Sequence, residues 1–102
     1  MTDVFNAYFN FSGSYDLENF EKDVEKVYNE NEMIRMIIDL ENRDINMSSL
    51  NDFKKLKKIF DDDNLGVEKL LETIVICKDG IKKKLIQGFL KIIPTKRPVK
   101  IY

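Results

Sequence analysis

Met36-Ile37-Ile38-Asp39-Leu40, with Ser48-Ser49 starting nine positions beyond Asp39, is the stretch that decides how this chain reads. Its apolar run has the length and β-branched content of a strand, and Asp39 ends it. A polar loop, Glu41 to Met47, follows. Two hydroxyls then stand where a new amphipathic helix opens, and serine is a favoured residue at such a start. In an open α/β sheet this junction lies at the carboxyl end of a strand, where ligands and partners usually dock.

Upstream, Val4 to Phe11 alternates like a strand, with Phe5, Ala7, Phe9 and Phe11 on one face. Ser12-Gly13-Ser14 reads as a turn. Leu17 to about Tyr28 carries its apolar residues (Leu17, Phe20, Val24, Val27, Tyr28) at helical spacing, with Asp16 or Ser14 as the N-cap. The second strand spans Met33 to Leu40. It is nearly continuous in apolar character, which predicts cover on both faces.

Downstream, a helix from about Leu50 to Phe60 turns Leu50, Phe53, Leu56, Ile59 and Phe60 inward and its lysines outward. Ser49 and Asp52 have the spacing of a capping box. Asp61-Asp62-Asp63 reads as a solvated loop, because acids oppose the dipole at a helix end. Leu70 to Cys77 is the third strand. Asp79 caps a third helix that reaches about Leu90, with Ile81, Leu85, Phe89 and Ile92 facing the core. Val99 to Tyr102 closes the chain as a short strand. The alternation predicts an α/β domain over residues 1–102: a small, mostly parallel four-stranded sheet with three or four helices and right-handed crossovers.

Composition narrows the chemistry. There is no histidine, which excludes imidazole catalysis and histidine metal ligation. Cys77 is the sole cysteine, so no internal disulfide forms, and it reads as a buried, inert thiol. With no signal sequence or apolar span in view, a cytoplasmic setting is the expectation. Residues 1–50 carry 4 basic and 11 acidic side chains, and residues 51–102 carry 13 and 7. Such asymmetry either orients the domain on a charged partner or is compensated inside the fold.

The basic half lacks interleaved aromatics and the whole chain is acidic, so nucleic acid is not expected. The three adjacent acids lack the converging geometry and the glycine of a cation loop. No glycine-rich phosphate loop is present, and no nucleophile has a visible base. Asp39 reads as a cap on backbone N–H groups of the following loop, with Asp3 and Asp79 as candidate acidic neighbours in the fold. The expectation is a protein that is not an enzyme and takes no cofactor or metal.

The serine corner resembles the STAS domain, the family of anti-sigma-factor antagonists. Asp39-Leu40 stands for that family's strand end, and the interval to Ser48-Ser49 is the same. Phe9-Asn10-Phe11-Ser12-Gly13-Ser14-Tyr15-Asp16 resembles its first strand, turn and helix start, and Ile74-Val75-Ile76-Cys77 with Val99-Lys100-Ile101-Tyr102 resembles its ending. Met47 replaces the aspartate before the family's serine pair, and Leu50 replaces the glycine after it.

The resemblance implies a STAS-like fold and a protein-docking role. It also implies regulation by phosphorylation at Ser49, with Ser48 as the neighbouring candidate and a kinase or other regulatory protein as partner. The docking residues it points to are Asp44, Asn46, Met47, Ser48, Asn51 and Lys54. A homodimer is a further partner expectation. The alternative is a lipid- or small-ligand-binding domain of CRAL-TRIO type. That reading rests on Phe89-Leu90-Lys91-Ile92-Ile93-Pro94 and the basic carboxyl half, which could also meet an anionic membrane.

Overall fold

A computed structural model describes residues 3–12, 15–64 and 66–102. Gly13 and Ser14, the expected turn and alternative cap, lie outside the described residues. Four strands, β1 (Phe5–Asn10), β2 (Ile34–Asp39), β3 (Leu70–Ile76) and β4 (Val99–Ile101), form one sheet in that order. Each neighbouring pair is parallel. Helices α1 (Leu17–Glu30), α2 (Leu50–Phe60) and α3 (Gly80–Ile92) connect them, with single 3-10 turns at Met47–Ser49 and Val67–Lys69. This is the α/β architecture expected, with all strands parallel and a STAS-like topology.

The strand order has a consequence for the faces. Each crossover moves one strand further in the same direction. Right-handed crossovers therefore stack all three helices on one side. Ala7, Phe9, Ile34, Met36, Ile38, Leu70, Thr73 and Val75 are buried on that side. The opposite side carries Asn6, Tyr8 and Asn10 of β1, Arg35 and Ile37 of β2, Glu72 and Ile74 of β3, and Lys100 of β4, all exposed or half-exposed. The cover expected on both faces of β2 is thus corrected. Ile37 and Ile74 are in register on the open face, flanked by Tyr8 and Lys100. Neighbouring side chains half-bury them without a second layer of helices.

Local signals explain the helices. Asp16 has extended backbone and accepts the Asn19 N–H at 2.9 Å, which starts α1. Phe20 is fully buried, and its ring meets Phe9, Phe11 and Phe60 at centroid distances of 4.9, 5.0 and 5.9 Å. Asp79 accepts from the N–H groups of Ile81 and Lys82 and opens α3. The phase of α3 differs from expectation. Ile86, Phe89 and Ile93 are buried, with Leu85 and Leu90 packed against the core, whereas Ile81 and Ile92 are 77% and 65% exposed. Both stripes have helical period. The observed one turns Lys83, Lys84 and Lys91 away from the sheet while keeping two adjacent pairs of apolar residues inside.

Asp61 also departs from the solvated loop. It is buried, accepts the Lys96 N–H at 3.2 Å, and pairs with Lys57 Nζ at 3.2 Å. The cation one turn back and the donor from the β4 approach offset the helix-end dipole that argued for exposure. Cys77 is fully buried, in keeping with an inert thiol. No helix is long and apolar enough to cross a membrane among the described residues.

Candidate functional site

The corner after β2 is built from its own polar side chains. Asp39 is nearly buried at the strand end. One carboxylate oxygen accepts the Glu41 N–H at 3.0 Å, and the other accepts the Tyr8 hydroxyl. The first bond is the expected cap. The second comes from β1, and neither Asp3 nor Asp79 is the partner. Donating to a carboxylate holds the Tyr8 hydroxyl above the usual phenol range, because ionising it would break that bond and set two negative charges together. Arg43 N–H returns to the Leu40 carbonyl at 3.2 Å, and its guanidinium donates to the Tyr15 carbonyl at 3.3 Å. These bonds tie the loop to the segment that leads into α1.

Asn46 then starts the helix. Its backbone is extended, its side-chain oxygen accepts the Ser48 N–H at 2.9 Å, and its own N–H donates to Ser49 Oγ at 3.1 Å. The capping box is therefore Asn46 with Ser49, and the expected Ser49–Asp52 box is corrected. Met47–Ser49 already winds as a 3-10 turn, and Ser49 has helical backbone with no side-chain cap bond to α2. A residue inside the first turn cannot cap it. The Asn-x-x-Ser spacing, three residues earlier than the one chosen, is the signal that marks the true start.

The two serines separate as a result. Ser48 is exposed and its hydroxyl donates to Asn46 Oδ1. Ser49 is only 9% exposed and its oxygen is engaged by Asn46 N–H. Of the two hydroxyls at the helix start, that of Ser48 therefore stands open to water and that of Ser49 does not. Asp44, Asn46, Asn51 and Lys54 are exposed, and Met47 is 70% exposed. Met47, Asn51 and Lys54 fall at i, i+4 and i+7 and so share one side of the turn-and-helix unit. Ile45 points the other way and packs against the core.

The remaining surfaces offer little enclosure. The apolar cavity between α2 and the end of α3, lined by residues including Phe53, Leu56, Leu90 and Ile93, holds about 20 Å³. That is room for one water-sized body, well short of a ligand pocket of about 300 Å³ or more. No cluster of three or more metal-binding side chains occurs among the described residues. In the basic half, Lys78 pairs with Glu41 of the acidic half, whereas Lys96 and Lys100 pair with Asp63 and Glu72 of their own half. Of these pairs, Lys78–Glu41 is the one that offsets the charge asymmetry between the halves.

Comparison with family models, with curated proteins and with solved structures finds no match. The fold class is the one shared by STAS and CRAL-TRIO domains, and the likeness stops at that class.

Proposed function

We propose that this domain is a non-enzymatic protein-interaction module that docks its partner through the Asp44–Ser49 loop and the outer side of α2. The observation that carries this reading is Met47. A large apolar side chain stands 70% exposed on a turn locked by a reciprocal capping box, ringed by Asn46, Ser48, Asn51 and Lys54. A flexible thioether amid polar groups suits an adaptable anchor with a hydrogen-bonding rim. The closed capping box supports docking with little ordering cost, since the loop is already fixed.

Phosphorylation at this corner, in our reading, falls on Ser48. Its hydroxyl is accessible and sits at a helix start, where free N–H groups and the dipole favour added negative charge. Ser49 needs its capping bond broken before a kinase can reach it. The apolar cavity between α2 and α3, at about 20 Å³, is too small for a lipid tail, which favours a protein partner there.

The test is affinity capture from the native cell, comparing wild type with Met47→Asp and with Lys91→Glu on α3 as a control. A specific partner lost with Met47→Asp and retained with Lys91→Glu supports the reading. Equal capture by all three overturns it. Incubation with extract and ATP, read by intact mass, should show phosphate on wild type and Ser49→Ala but not on Ser48→Ala.

A further inference from the structure

The outer edge of β1 is a second surface, on the far side of the sheet from β4. β1 pairs only with β2, and among the described residues nothing pairs with its other side. The N–H groups of Phe5 and Phe11 donate to Met33 and Asp39 carbonyls. In a parallel ladder alternate residues bond to the same neighbour. The odd positions of β1 therefore face β2, and Asn6, Tyr8 and Asn10 direct their N–H and C=O groups outward. These six groups form an open hydrogen-bonding edge.

The guards that usually blunt such an edge are absent. From Val4 to Phe11 there is no charge, proline or glycine. The β4 edge is the opposite case. It has three residues, two prolines before it (Pro94 and Pro98), and Lys96, Arg97 and Lys100 around it. A head-to-tail contact joining β1 of one copy to β4 of the next is therefore opposed by the chemistry of β4.

We propose that β1 pairs antiparallel with β1 of a second copy across a two-fold axis at Tyr8, joining two sheets into one of eight strands. The outward-facing residues of the edge, Asn6, Tyr8 and Asn10, read the same in both directions about Tyr8. The axis sets Tyr8 against Tyr8, and Asn6 against Asn10, each as a pair exchanging two backbone bonds. All six outward groups are then satisfied. On the helix side Ala7 lies opposite Phe9, small against large, which lets the faces interlock. On the open side Asn–Asn and Tyr–Tyr neighbours extend the sheet surface without setting like charges together. The two-fold contact closes on itself, so assembly stops at the dimer. The rest of residues 1–50 is acidic, so two copies repel at long range. Salt screens that repulsion and strengthens the pairing.

The test is sedimentation equilibrium of the full chain up to about 1 mM, with a short thiol crosslinker as a register probe. Wild type should approach twice its 12.0 kDa chain mass, at lower concentration as salt is raised. Asn10→Pro deletes an outward N–H and no bond to β2, so it should remain folded by circular dichroism and dimerise at least tenfold more weakly. Tyr8→Cys should crosslink to a covalent dimer with dibromobimane. Asn10→Cys should not, because two such residues sit about 14 Å apart along the strands. Cys77, fully buried, leaves wild type as the unreactive control. A wild type that stays monomeric, a folded Asn10→Pro that dimerises as before, linkage through position 10 and not 8, or a series of species beyond the dimer each overturns the proposal.

Discussion

The two edges of this sheet are built to opposite rules. β1 is six residues long, uncharged and unshielded, and it lies beside a dense aromatic cluster in which Phe20 touches Phe9, Phe11 and Phe60. β4 is three residues long, with Pro98 before it and Lys100 within it, and it lies beside α2 and α3, where Phe53 meets Phe89. Aromatic packing and edge protection thus run in opposite directions across the sheet. The side with the aromatic cluster leaves its hydrogen-bonding edge open, and the side with fewer aromatic contacts closes its edge with sequence. An edge on firm ground can serve as an interface, because pairing there need not reorganise the strand. An edge that frays is a hazard and is better guarded.

The largest effect that could break this contrast is in the core. Phe20→Ala should remove about 3–5 kcal/mol, as expected for a buried phenylalanine that loses ring contacts on three sides. Phe89→Ala, whose ring meets Phe53 at 5.2 Å, should fall at the lower end of that range because the adjoining cavity gives its surroundings room to relax. Urea denaturation of both variants measures the difference. A larger loss from Phe89→Ala would reverse the assignment of firm and loose sides. Hydrogen exchange should agree, with amides of β4 opening before those of β2.

A control between the edges sharpens the comparison. Asn46→Ala removes the capping box at the corner after β2 and should destabilise by about 1 kcal/mol, visible in the denaturation midpoint. It touches neither edge. Self-association should therefore stay at the wild-type level, which separates loss of stability from loss of pairing. An Asn46→Ala protein that dissociates would show that the edge reports general stability.

These contrasts were only partly legible in the sequence. Alternation and helical spacing placed the strands and helices to within one or two residues, since local period and cap chemistry are written locally. Strand order was not written there. Without it the one-sided stacking of the helices is invisible, and the apolar run of β2 reads as doubly covered when Ile37 only shares shelter with Ile74. The phase of α3 was missed because Ile81 and Ile92 fit a helical stripe as well as Ile86 and Ile93 do, and tertiary packing chose between them. At the corner the residue types were visible. Which of Asn46, Ser48 and Ser49 faces water depended on where the 3-10 turn begins, one bond that spacing alone leaves open. The Tyr8–Asp39 bond needs the β1–β2 register, which no local pattern supplies.

Alkali probes the β1 side through its tyrosines. Tyr8, Tyr15 and Tyr28 all have hydroxyls held above the ordinary value of 10.0. The leading cause is the carboxylate bond for Tyr8, and burial for Tyr15 and Tyr28. A raised folded pKa means the native state keeps protons that the unfolded chain gives up. The stability these three tyrosines contribute should therefore be fully present below pH 10 and be lost as pH rises beyond it. Phenolate absorbance should accordingly show Tyr8, Tyr15 and Tyr28 ionising late. Tyr8→Phe should soften the decline. An unchanged slope would place the sensitivity in Tyr15 and Tyr28 alone.

The smallest effect lies at the guarded edge. Lys100 pairs with Glu72 at 3.5 Å, but Glu72 also holds Arg35 at 3.4 Å, so removing the lysine leaves the acid with a cation. Lys100→Thr should stay within about 0.5 kcal/mol of wild type in urea, as for a surface substitution whose partner remains satisfied. Threonine suits a strand, so the change removes one guard and adds no obstacle to pairing. The short strand and the proline at position 98 remain, and species beyond the dimer should stay absent. If Lys100→Thr forms higher assemblies, the protection of β4 rests on that single charge, and the two edges differ by less than their sequences suggest.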